Sequence, residues 1–127
     1  MEDNRLDRLL EYTKFHIGIY LAAGGGILAL LGSGDNNNFV RDLIGRPWGV
    51  AVGLVFMAIA GLGGGVIASA TTKASAFDEV WNEAQGPLNL FKGETWASIE
   101  HIAFWIALGF ISYSVLADRE VWNWLIS

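Results

Sequence analysis

Three side chains in this sequence set titratable chemistry in an apolar context: His16, and the adjacent pair Glu100 and His101. His16 opens the first of three apolar blocks, and Glu100 with His101 opens the third. Ionisable groups in such blocks are functional candidates, because charge is costly in hydrocarbon. Neutral imidazole is a good iron ligand and a ready proton carrier. His16 and His101 therefore define a candidate cofactor site for a haem or a quinone, with Tyr20 one turn beyond His16 and Trp105 one turn beyond His101. Both histidines stand near block ends, where an imidazole reaches water or headgroups cheaply. The expectation is thus no cofactor, with a haem or quinone as the alternative.

Other chemistry finds less support. The chain has no cysteine, which removes disulfides, thiolate metal ligands and cysteine nucleophiles. No block carries paired carboxylates, a Ser/His/Asp set or the two-His-plus-Glu helix spacing of a metalloprotease. The expected reading is a protein that is not an enzyme, or at most an electron-transfer subunit, with no metal site. A net charge of −5 and eight scattered Lys and Arg residues argue against a nucleic-acid partner.

The elements that must position these residues are legible in the charge pattern. Hydrophobic residues make up 53% of the 127, and they are gathered into blocks. No Asp, Glu, Lys or Arg occurs between Lys14 and Asp35, between Arg46 and Lys73, or between Glu100 and Asp118. A helix rising about 1.5 Å per residue crosses a core of about 30 Å in roughly 20 residues, so each block can span a bilayer. The expected fold is an all-α integral membrane protein, one domain over residues 1–127 with spans at 15–32, 48–70 and 96–117. Tyr12, Trp48, Trp96, Trp122 and Trp124 sit near block ends, where aromatic rings favour the headgroup layer.

Two rival readings are weaker. A cleaved signal peptide would want a basic start and a cleavage site, whereas the first block follows Met-Glu-Asp-Asn and runs into Ser33-Gly34-Asp35. A soluble bundle would show a charged face at 3.6-residue spacing, which these blocks lack. A multi-pass membrane location follows. Arg5, Arg8, Lys14, Lys73 and Lys92 fall on one side, against Arg41, Arg46 and Arg119 on the other, so the positive-inside rule places the N-terminus in the cytoplasm.

Between the spans, Asp3 or Asn4 is positioned to cap an amphipathic lead-in whose Leu6, Leu9, Leu10 and Thr13 share a face. Residues 33–38 favour turns, and Arg41 and Arg46 are expected to reach for headgroups. In loop two, Ser75 is the expected cap of an interfacial helix over 75–85, with Phe77, Val80, Trp81 and Ala84 on its apolar face. Phe77, Val80 and Trp81 are the candidate partner interface. Gly86-Pro87 ends that helix, Thr95 is placed to cap the third span, and the tail Val121–Ile126 reads as an interfacial anchor.

Glycine is dense in the blocks, and membrane helices need small residues for close approach. Gly18, Ala22 and Gly26 are four apart in the first, Gly49 with Gly53 and Gly61 with Gly65 in the second, and Ala103 with Ala107 in the third. Four-residue steps rotate by about 40°, so the two glycine pairs of the second span cannot face one straight partner, and this span is expected to touch two neighbours. One is the first span; the other is a second protomer or another subunit. The repeated Gly-Gly-Gly strings at 24–26 and 63–65 do not extend into their flanks, which argues against an internal duplication.

These features imply a small membrane protein that self-associates or docks through glycine-rich helix faces, as an accessory or scaffold subunit of a membrane assembly. Its expected partners are membrane lipid and either a homo-oligomer or a larger complex. The first alternative is a homo-oligomeric pore or membrane-perturbing effector; the second is a haem- or quinone-binding anchor built on His16 and His101.

Overall fold

The computed structural model describes residues 4–33, 46–117, 123 and 127. The chain is mostly helical: α1 (Arg5–Ser33), α2 (Pro47–Thr71), α3 (Phe77–Asn82), a two-stranded sheet of β1 (Ala84–Gln85) and β2 (Phe91–Lys92), and α4 (Gly93–Leu116). Helices α1, α2 and α4 are long and apolar enough to cross a membrane, and each contains most of one of the three blocks free of charge, with α1 and α4 beginning in charged sequence before theirs. The amphipathic lead-in and the first block form one continuous helix of 29 residues, since nothing between Arg5 and Phe15 breaks it. The turn and basic piece of loop one, Asp3, and all of the tail Val121–Ile126 except Asn123 lie outside the described residues.

Helix α2 is the centre, with α4 packed closely along it and α1 on another side. Its buried or near-buried line is Val50, Gly53, Met57, Ala60, Gly64, Ile67 and Thr71, in alternating steps of three and four. Helix α4 answers with buried Gly93, Glu100, Ala107 and Ser114, seven apart, and with Ala103 between them. A repeat averaging 3.5 residues keeps a seam facing one partner over the whole helix length. Small residues close the seam. A Cβ on Gly53 would stand 2.6 Å from Ile111 Cγ1 and 3.0 Å from the Ala107 carbonyl oxygen, and one on Gly49 would overlap the Ser114 hydroxyl. The core proper joins Tyr20 of α1, Met57 and Ala60 of α2, and Ala103 and Ala107 of α4.

Loop two departs from expectation. The interfacial helix covers Phe77–Asn82 instead of 75–85, and its N-cap residue is Ala76 with no side-chain cap. Ser75 contributes differently: its backbone N–H donates to the Glu79 carboxylate at 2.8 Å. Ala84 leaves the helix to join an antiparallel pair in which Ala84 faces Lys92 and Gln85 faces Phe91. The turn between them uses positive φ at Gly86 (90°) and Asn89 (47°), which reverses the chain where a helical face was expected to end. Helix α4 then starts at Gly93, with Lys92 in place of Thr95 at its cap. A Cβ at Gly93 would overlap the Val80 carbonyl oxygen, so α3 sits directly on the start of α4.

Candidate functional site

A polar ladder joins α1 to α4 on the half of the molecule nearest α3. At its outer end the Tyr12 hydroxyl lies 2.6 Å from His101 Nε2. His101 Nδ1 lies 2.7 Å from the Ala97 carbonyl, and His16 Nδ1 lies 2.8 Å from that of Tyr12. A carbonyl only accepts, so each Nδ1 carries a proton, and His101 Nε2 shares a hydrogen bond with the Tyr12 hydroxyl. The two imidazole centroids are 5.7 Å apart, and the Tyr12 ring packs against both, at 3.9 Å from His16 and 6.0 Å from His101.

The structure therefore brings His16 and His101 together. It also places Tyr12 on them. A macrocycle between the imidazoles would have to displace this ring and break its bond to His101. Among the described residues no three His, Asp or Glu side chains converge as a metal-binding group.

Deeper in the bundle, the Tyr20 hydroxyl donates to Glu100 Oε1 at 2.7 Å. Glu100 is 1% exposed, two turns inside α4. The space for it comes from α2: a Cβ at Gly63 would stand 3.2 Å from Glu100 Cβ, and one at Gly64 would stand 3.5 Å from its carboxyl carbon and from Oε1. A buried carboxyl without partners costs several kcal/mol, so the Tyr20 bond and the glycine recess are what make this position tolerable. Thr13, equally buried, returns its hydroxyl to the Leu9 carbonyl at 2.7 Å. Tyr20 continues into the core through Phe104, whose ring centroid is 5.0 Å away.

Tyr12, Gly63 and Gly64 were not identifiable from sequence as parts of this arrangement. Tyr12 resembled a headgroup anchor, and the small-residue pair in this stretch was read as Gly61 and Gly65. Of the three, Gly64 alone falls on the line of alternating three- and four-residue steps along α2.

The remaining candidates separate by environment. Gly49, Gly53, Ala103 and Ala107 are buried in the α2–α4 seam, so the closest partner of the second span is the third, not the first. Gly18, Ala22 and Gly26 are exposed, with open space beyond Gly18 and Gly26. Gly61 and Gly65 also face open space, in a groove between α1 and α2.

Val80 is fully buried against the start of α4, while Phe77 and Trp81 stack at 5.3 Å and are half-buried. Arg5 lies 4.9 Å over the Phe77 ring and 3.8 Å from Asp78, which ties α3 to α1. Much of the expected partner interface is thus used within the chain. At the opposite end exposed Arg46 donates to the Tyr113 hydroxyl at 3.0 Å.

No family model, curated protein or solved structure matches this chain.

Proposed function

We propose that this protein is a small membrane subunit that associates, with itself or with a larger membrane assembly, through the outward face of α1. The observation that carries this reading is the division of its small residues. Gly49, Gly53, Gly63 and Gly64 occupy approaches where a Cβ would press on α4 or α1, whereas Gly18, Ala22 and Gly26 are exposed, and a Cβ on Gly18 or Gly26 would meet open space. Glycine within a helix costs up to about 1 kcal/mol relative to alanine, and in a bilayer its compensation is close approach by a second backbone.

The test compares the purified wild type with the double variant Gly18→Leu, Gly26→Leu in nanodiscs, by light scattering corrected for lipid. The wild type forms a defined oligomer or co-purifies with a partner, and the variant loses it while keeping its helicity. Unchanged assembly in the variant would refute the role of this face.

The approach of His16 to His101, together with a His16 Nε2 that has no partner among the described residues, favours a second reading as a haem- or quinone-binding anchor. A Soret band in the same purified sample is its signature, and His101→Ala should abolish it.

A further inference from the structure

Between α1 and α2 runs an open groove of about 1300 Å³, on a different side from the exposed stripe of α1. Its α1 wall, through Leu21, Gly25 and Leu28, is turned on average roughly 90° about the helix from Gly18, Ala22 and Gly26, given 3.6 residues per turn. The body of the groove is apolar, and Gly61 and Gly65 form its floor on α2. Its upper end is polar: Lys73, at the close of α2, and Asn89, in the hairpin turn, both line it.

Two further observations bear on what fills it. The hairpin carries Leu88, Leu90 and Phe91 with 74%, 60% and 43% of their surfaces exposed, on the turn that roofs the groove. Apolar side chains so displayed beside the ends of spanning helices belong in the interfacial layer, which sets Lys73 and Asn89 at headgroup level. No carboxylate among the described residues lies within ion-pair reach of Lys73: Asp78 is beside Arg5, and Glu79 accepts from the Ser75 N–H. The ammonium is left to an external anion.

We infer that this groove holds one anionic phospholipid, its acyl chains along Leu21, Leu28, Gly61 and Gly65 and its phosphate against Lys73 and Asn89. An anionic headgroup at this level gains electrostatic attraction that a zwitterionic one largely lacks. Glycine at 61 and 65 then acts as a recess for a chain, not as a helix-packing pair. The inference does not rest on the association proposed for the outer face of α1, and the two are tested by different variants.

The experiment is native mass spectrometry of the full chain released from nanodiscs containing equal amounts of phosphatidylglycerol and phosphatidylcholine. One phosphatidylglycerol stays bound per chain, in preference to phosphatidylcholine. Lys73→Glu lowers its occupancy about tenfold, and Lys73→Arg retains it. Gly65→Leu, whose Cβ has open space and whose side chain extends into the groove, also removes the lipid while circular dichroism stays unchanged. Equal retention of the two lipids, or full retention by both Lys73→Glu and Gly65→Leu, would show an ordinary lipid annulus and overturn the proposal. So would a dimer that Gly65→Leu dissociates, since a second copy would then be the occupant.

Discussion

At the scale of single residues, Glu100 is the most consequential side chain in the molecule. It is fully buried between helices, accepts a hydrogen bond from Tyr20, and occupies a recess made by two glycines. Removing one partner of a buried pair exposes the desolvation cost of the other. Tyr20→Phe is therefore expected to destabilise the protein by about 1–3 kcal/mol, read as a lower midpoint of thermal unfolding in detergent. Glu100→Gln should cost less, because the amide oxygen still accepts from Tyr20. Glu100→Ala should cost more than either, because it leaves both a cavity and an unpartnered hydroxyl. A midpoint unmoved by Tyr20→Phe would mean that the bond has no stabilising role. The sequence marked Glu100 as ionisable and close to a block end. It did not reveal that residue 100 falls on the buried seam, because a lone carboxyl in an apolar block is the residue least expected there.

At the scale of elements, pairs of glycines with the same spacing have opposite surroundings. Gly53 sits 2.6–3.0 Å, measured from an added Cβ, from atoms of α4, while Gly18 faces open space. Gly53→Leu is expected to push α2 and α4 apart and cost at least about 1–3 kcal/mol, with the loss visible in thermal unfolding of the isolated chain. Gly18→Leu should leave that unfolding unchanged and act only on assembly. Gly93→Ala tests the seat of α3: a methyl there overlaps the Val80 carbonyl, so faster amide exchange over 77–92 is expected. The hairpin was the element least legible in the sequence. Two-residue strands carry almost no alternation, and Phe77, Val80, Trp81 and Ala84 match a helical face equally well until Gly86 and Asn89 turn the chain at positive φ.

At the scale of the whole molecule, three crossings by α1, α2 and α4 would place the start of α1, the end of α2 and the start of α4 on one side of a membrane. The absence of cysteine makes this directly testable with single introduced thiols. Asn4→Cys and Lys92→Cys should react with a membrane-impermeant maleimide from the same side, and Ser33→Cys from the other. The excess of Lys and Arg makes the cytoplasm the expected side for the first pair. Labelling of all three from one side would refute three crossings. The number and approximate position of the long helices were determined by sequence alone, because the cost of burying charge in hydrocarbon is paid locally, residue by residue. Which helix lies against which was decided only in three dimensions. Close approach depends on atoms from two segments at once, so Gly53 meeting Ile111, Tyr20 meeting Glu100 and Tyr12 meeting His101 became apparent only when the helices were packed together.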